Sequence, residues 1–245
     1  MLIAFVHSGR SFMPEAEAYT NYFSSRNISC VVTTPEKIND IERDIEWFFL
    51  GADRTKLQKN IVRIHEYTSA STPPLSRLKD VVKKTISTKP DYRIFLNPFV
   101  QNSLRFNDDV PYGFREMGIP ADWLETEQTI KEKKYDFIYT GDVSAQRKIH
   151  ALLEPFTSGD LKKRTIVVIS KNYEMLQKQF SSYPNIQFKG PLGHNQIRDQ
   201  LLGSRYSLNF VPDIIPYNQQ TSTKFLEYAA NKIPIISTRY CWITE

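Results

Sequence analysis

Cysteine is scarce in this sequence: only Cys30 and Cys241 occur. Two thiols so far apart build no disulfide framework, and no CxxC or Cys/His spacing suits a metal ion. They read as reduced, buried thiols. Long apolar runs are missing too, since no stretch reaches the roughly 18–20 residues that a membrane-crossing helix needs. The apolar start, Leu2 to Val6, is too short for a secretory leader and lacks its basic region and cleavage site. It is expected to be the first buried strand of a cytoplasmic protein. Several chemistries are absent as motifs: there is no Walker loop, no GxGxxG fingerprint and no serine nucleophile elbow. Neither a low-complexity segment nor a short-period repeat is present.

The 245 residues that remain to be explained are 40% hydrophobic and 24% charged, an ordinary balance for a globular chain with a normal core. A net charge of +5 fits an anionic small molecule, a membrane surface or nucleic acid. The charge is dispersed, however. Arg77, Lys79, Lys83 and Lys84 lie on one expected helix, Lys131, Lys133 and Lys134 in one segment, and Lys162, Lys163 and Arg164 in another. Each group reads first as a solvated face. The aromatics, 13% of the chain, read as core and cleft residues and form no stacking platform, so nucleic acid is not an expected partner.

Short apolar runs alternate with longer amphipathic stretches. Strands are expected at Leu2–Val6, Ile28–Thr33, Ile61–Ile64 and Arg93–Leu96, with helices at Pro14–Ser25, Pro35 to about Glu46, and Leu75–Ile86. The second half repeats the scheme, with strands at Tyr135–Tyr139, Thr165–Ile169, Ile186–Phe188, Tyr206–Val211 and Ile233–Ser237. Helices are expected between them, the last at Lys224–Ala230. This alternation predicts an α/β protein with two Rossmann-like domains of parallel sheet facing across a cleft. Turn punctuation and charge from Asn107 to Lys134 mark the break. The expected boundaries are a first domain at 1–120, a linker at 121–134 and a second domain at 135–245.

The most informative segment runs from Asn209 to Thr238. A strand ends at Val211, a polar and proline-rich loop follows, and Thr221-Ser222-Thr223 stand at a helix start. Hydroxyl residues there make a good N-cap, and a helix start offers free amides and a positive dipole end. That combination suits a diphosphate. Lys224 adds charge, and Glu227 follows on roughly the same face, where a carboxylate can accept both hydroxyls of a ribose.

Lys224 to Ile236, KFLEYAANKIPII, resembles the donor-site signature of GT-B glycosyltransferases, particularly the family-4-like bacterial enzymes. The resemblance implies that Glu227 binds the nucleotide ribose and that Thr221, Ser222, Thr223 and Lys224 hold the diphosphate. Many relatives carry a second glutamate near the donor sugar, where this chain has Gln219. An amide there can bond sugar hydroxyls but carries no charge. Tyr139 to Lys148 resembles the strand and glycine turn that open the second domain of that family. It implies a close backbone approach at Gly141 and phosphate neutralisation by Arg147, with Lys148 second. Phe188 to His194 resembles the next strand and glycine loop, with Lys189, Pro191 and Leu192 near the base. In the first domain, Gly9 is the expected contact to the donor, with Arg10 behind it. His65 and Glu66, at a strand end, are the expected catalytic groups, His65 because imidazole titrates near neutrality.

The resemblance implies a transferase that moves a sugar from a nucleotide-diphosphate sugar to a hydroxyl acceptor. The acceptor would be a glycan or lipid-linked molecule in bacterial surface polysaccharide or glycolipid synthesis, with peripheral contact at the inner membrane face. No metal and no cofactor are expected. Relatives continue with further strand and helix after the point where this chain ends at Glu245, so the second domain is expected to be incomplete. A nucleotide-sugar 2-epimerase of the same fold and a non-catalytic nucleotide- or glycan-binding module are the alternatives.

Overall fold

Apolar and β-branched runs form the strands, and the stretches between them return the chain so that the strands within each sheet are parallel. The computed structural model describes residues 1–8, 14–49, 53–119, 121–125 and 132–244. They divide into two units, Met1–Met117 and Gly118–Glu245.

In the first unit the chain runs through β1 (Leu2–Val6), α1 (Pro14–Ser24), β2 (Ser29–Thr33), β3 (Ile45–Phe49), β4 (Val62–Tyr67), α2 (Ser76–Ile86), β5 (Tyr92–Phe95), α3 (Pro98–Leu104) and β6 (Tyr112–Phe114). The six strands make one parallel sheet in the order β2-β1-β3-β4-β5-β6. Successive side chains take opposite faces. Ile3, Phe5, Trp47 and Phe49 pack with Ala16 of α1 on one face. Ala4, Val6 and Phe48 meet Ile38 on the other.

The stretch from Pro35 to Glu46 is not the expected helix. One turn of 3-10 helix at Ile38–Asp40 leads into β3, which lies between β1 and β4 in the middle of the sheet. Pairing on both sides overrides the local helical pattern. Strand β6 also falls inside the expected break between domains.

Charge is built into the middle of this sheet. Glu46 on β3 stands opposite Arg63 on β4 and is ion-paired with it. Arg43 Nε also donates to Glu46, at 3.0 Å. Arg63 reaches Asp53 at 2.8 Å as well. All four residues are buried. Ion pairs so placed are costly to assemble, yet removing one partner strands the others.

The second unit holds α4 (Asp122–Glu125), β7 (Tyr135–Thr140), α5 (Ile149–Leu153), β8 (Ile166–Ile169), α6 (Glu174–Gln179), β9 (Ile186–Lys189), α7 (His194–Leu202), β10 (Ser204–Asn209), α8 (Thr223–Ala230), β11 (Ile235–Ser237) and α9 (Cys241–Thr244). Its five strands form a parallel sheet ordered β11-β10-β7-β8-β9. Every residue of β8, Ile-Val-Val-Ile, is buried, as befits a parallel strand covered on both faces. Ile166 and Val168 join Leu153, Phe156 and Phe180 on one face. Val167 and Ile169 join Ile138, Leu201 and Tyr228 on the other. Trp123 of α4, from the expected linker, is buried against that second cluster.

Among the described residues no helix is long and apolar enough to cross a membrane. The buried ionic group makes a direct prediction for stability. Glu46→Ala leaves Arg43 and Arg63 without their shared carboxylate and is expected to lower the unfolding free energy by about 3–5 kcal/mol. Urea denaturation followed by circular dichroism measures it, and an unchanged midpoint would remove the network from the account of this unit's stability.

Candidate functional site

The second sheet reverses direction once. From β7 the chain adds β8 and β9 on one side, then returns to lay β10 against the other side of β7. Such a reversal opens a crevice outside the carboxyl ends of the two strands, where open parallel sheets bind ligands. The relevant ends here are Thr140 and Asn209.

Gly141 follows β7 with φ +125°, a conformation that an L side chain rarely adopts. A Cβ there would meet only the Tyr139 hydroxyl, at 3.8 Å, so the backbone angle and not crowding requires glycine. The turn lets Asp142 accept hydrogen bonds from the amide (2.9 Å) and hydroxyl (2.7 Å) of Ser144. A turn of 3-10 helix at Ala145–Arg147 then carries Arg147 back towards Asp142, with 3.6 Å between them. The Arg147 guanidinium lies 4.0 Å from the centre of the Tyr217 ring. Its Nε is buried and makes no hydrogen bond.

Helix α8 supplies the other half. Ser222 takes the N-cap position, as the hydroxyl run predicts, but its side chain does not cap. Its Oγ donates instead to Asn209 Oδ1 at 2.7 Å. Asn209, fully buried at the end of β10, also donates from Nδ2 to Ser237 at 2.8 Å and to Tyr240 at 3.3 Å. The Ser222 carbonyl takes up the amides of Phe225 and Leu226. The Ser222 side chain makes no capping bond at the start of α8, where the first amides, at Thr223 and Lys224, form the positive end of the helix dipole.

Lys224 and Glu227 are one turn apart and partly buried. The Lys224 amine sits 5.6 Å from the centre of the Tyr139 ring. Burial, then the neighbouring charge of Arg147, lower its pKa to about 8, against the pull of Glu227 and Asp142. Burial raises the Glu227 carboxyl to about 7, with Lys224 opposing. These interactions bring Arg147, Lys224, Glu227 and Asp142 into one electrostatic group beside the Gly141 turn. Shifted titratable groups concentrate at binding and reacting sites, and this group makes the carboxyl end of the second sheet the candidate.

The other expected residues are placed as follows in the fold. Lys189 is not brought to this group: its amine donates to Gln200 of α7 at 2.7 Å and lies 5.4 Å from the Tyr135 ring centre, at the start of β7. Lys148 is exposed, its backbone in the left-handed region where the 3-10 turn passes into α5. Gln219 ends a 3-10 turn at Tyr217–Gln219, and its Nε2 donates to Cys241 Sγ at 2.9 Å. Thr221 is partly buried just before the N-cap, and Thr223 is the first helical residue. Gly9 and Arg10 lie outside the described residues.

The catalytic expectation for His65 and Glu66 is corrected by their burial. His65 is 0% exposed, and its Nε2 lies 3.1 Å from Asp53 Oδ2. Burial lowers its pKa, so the ring is neutral at pH 7. Burial also works against the Asp53 charge, but hydrogen bonds from His65 and Thr55 and the Arg63 charge outweigh it and hold the carboxyl below its usual range. Glu66 is 1% exposed on the opposite face. It accepts from Arg115 Nε at 2.7 Å, Trp47 Nε1 at 2.9 Å and the Tyr19 hydroxyl at 3.2 Å. Both side chains tie the first unit together and present no open surface to a substrate.

Four contributors were not singled out in the sequence. Asn209 and Tyr228 position α8, and Asn218 and Gln220 flank Gln219 with buried atoms, Oδ1 and Nε2, that have no hydrogen-bond partner. Asn209 and Tyr228 read only as strand and helix core. Asn218 and Gln220 sit in a polar loop whose composition does not distinguish neighbours. Among the described residues, no group of three or more His, Cys, Asp or Glu is placed to hold a metal ion.

The shifted pair predicts a pH signature. Glu227 has a folded pKa near 7, above the usual glutamate value near 4.5, so its contribution is present at low pH and lost as pH rises through 7. Wild type is therefore expected to lose stability relative to Glu227→Gln between about pH 5 and 8. Thermal melts of both proteins across that range test it, and parallel curves would contradict the shift.

No protein-family model and no curated protein sequence matches the chain. Solved structures do match. AviGT4, a glycosyltransferase involved in avilamycin A biosynthesis, is 14% identical, with a TM-score of 0.65 over 100% of this chain and 80% of its own. HepE from Anabaena, solved with UDP and glucose, is 10% identical, with a TM-score of 0.68 over 99% of this chain and 82% of its own. Sucrose-phosphate synthase from Thermosynechococcus elongatus is 9% identical, with a TM-score of 0.71 over 96% of this chain and 80% of its own. Two units, each a parallel sheet of Rossmann type, in an arrangement of elements shared with these enzymes along nearly the whole chain, give this protein the GT-B glycosyltransferase fold.

Proposed function

We propose that the chain transfers a sugar from a nucleoside-diphosphate sugar to a hydroxyl acceptor, in the manner of family-4-like GT-B enzymes. The observation that carries this reading is the placement of Lys224 and Glu227 at the start of α8, beside Arg147 and the Gly141 turn. The diphosphate would lie on the amides of Thr223 and Lys224, with the Lys224 amine and the Arg147 guanidinium against its oxygens. The Glu227 carboxylate would accept the ribose hydroxyls. Gln219 would meet the hydroxyls of the donor sugar.

In the transfer, the bond from the anomeric carbon to the diphosphate oxygen breaks and a bond to the acceptor oxygen forms. The leaving diphosphate gains charge as it departs, and fixed cations and helix amides aimed at it stabilise that charge. Lys224 and Arg147 are the cations for this step, so turnover is expected to persist in EDTA. The acceptor hydroxyl's proton would pass to the departing diphosphate oxygen, since His65 and Glu66 are sealed in the first unit. The fuller reading is a glycan or lipid-linked acceptor in bacterial surface polysaccharide or glycolipid synthesis on the cytoplasmic side of the membrane.

Incubation with a panel of nucleotide sugars distinguishes the readings. A transferase releases nucleotide slowly, and faster with acceptor. An epimerase converts the sugar with no acceptor, and a binding module shows a thermal shift without turnover. With the nucleoside diphosphate that binds best, Glu227→Ala is expected to weaken affinity by about 1–3 kcal/mol through loss of charged hydrogen bonds. Unchanged affinity by calorimetry would remove the ribose role. Arg147→Ala is expected to weaken binding and flatten its salt dependence, and titrations at low and high salt that match wild type would exclude a phosphate contact.

A further inference from the structure

Helix α2 is mounted with its apolar side outward. Leu78, Val81 and Val82 are 56%, 48% and 40% exposed, and Leu75, just before the helix, is 69% exposed. The single carboxylate of the helix, Asp80, turns inward and is 9% exposed. This inverts the ordinary arrangement, in which the apolar stripe meets the core. At about 100° per residue, Leu78, Val81, Val82 and Thr85 share one stripe. Arg77 and Lys84 border it on one flank, Lys79 and Lys83 on the other. The stripe also walls an open groove against Ser69–Thr72, to whose Thr72 carbonyl Lys79 Nζ donates at 2.9 Å.

An outward apolar stripe between two rows of cations, with its one acid hidden, has the complementarity of a surface that is apolar beneath and anionic above. A second copy of the same face would bring eight like charges together around the stripe. An amphipathic helix of low overall hydrophobicity with basic flanks instead matches helices that lie in the interface of a bilayer.

We propose that α2 docks the protein on an anionic lipid bilayer. Leu75, Leu78, Val81 and Val82 enter the boundary between headgroups and acyl chains, and Arg77, Lys79, Lys83 and Lys84 meet lipid phosphates. The inference does not depend on sugar transfer and is read without any donor, so the two stand or fall separately.

Flotation of the full chain with vesicles tests it. Binding is expected to vesicles of phosphatidylcholine with phosphatidylglycerol, to be weak on phosphatidylcholine alone, and to fall as salt rises. Leu78→Ser/Val82→Ser is expected to lower the partition coefficient by about tenfold or more. Arg77→Gln/Lys84→Gln is expected to lower it by about fivefold per charge removed. Circular dichroism melts matching wild type show that the exposed substitutions leave the fold intact. Absence of binding to anionic vesicles at low salt, or equal binding by wild type and both variants, overturns the proposal. So does a concentration-dependent dimer that Leu78→Ser/Val82→Ser abolishes, because the stripe would then be a self-contact.

Discussion

The Tyr228 hydroxyl accepts a hydrogen bond from the Thr140 amide at 3.0 Å and shares another with the Thr140 hydroxyl at the same distance. Both residues are buried, so these bonds are satisfied inside the protein and hold firmly. They pin α8 to the last residue of β7. Because Glu227 precedes Tyr228 and Lys224 lies one turn earlier, the same contact sets both charges beside the Gly141 turn. Asn209 completes the mounting from β10: by engaging the Ser222 hydroxyl, it keeps that hydroxyl from capping the helix. The placement of the helix start thus follows from how strand ends hold α8, and not from the helix alone.

The two units use buried polarity differently. In the second, Lys224 and Glu227 are partly buried without forming an ion pair, and burial shifts both pKa values toward neutrality. In the first, Arg43, Glu46, Arg63, Asp53 and His65 complete one another inside the sheet. A histidine at a strand end invites a catalytic reading in either setting. Here its partner Asp53 comes from the loop between β3 and β4, and the two neutralise each other's availability.

Much of the second unit was legible because its signals are local. The strand–glycine turn at Tyr139–Gly141 and the run from Thr221 to Ile236 carry their structural meaning in a few adjacent residues, and the structure puts strand, turn and helix at those places. The elements missed in the first unit depend on partners distant in sequence. The helix expected from Pro35 overlaps Ile45 and Glu46, and Ile45–Phe49 becomes a strand because β1 and β4 flank it. Tyr112–Phe114 is a three-residue edge strand that exists by pairing with β5. The same limit governs side chains. Lys189 stands at the expected strand end, yet its amine runs back to Gln200, and nothing in its neighbours in the sequence shows that. The position of Glu227 one turn after Lys224 was readable since it depends on helical spacing, a local quantity.

The central claim is that the start of α8 is a nucleoside-diphosphate site. A crystal structure of the protein with the nucleoside diphosphate that binds most tightly tests this directly. The account predicts the ribose hydroxyls on the Glu227 carboxylate and the diphosphate on the Thr223 and Lys224 amides, with Arg147 in contact. A nucleotide bound elsewhere, or bound here with Glu227 beyond hydrogen-bonding distance of the ribose, would contradict it.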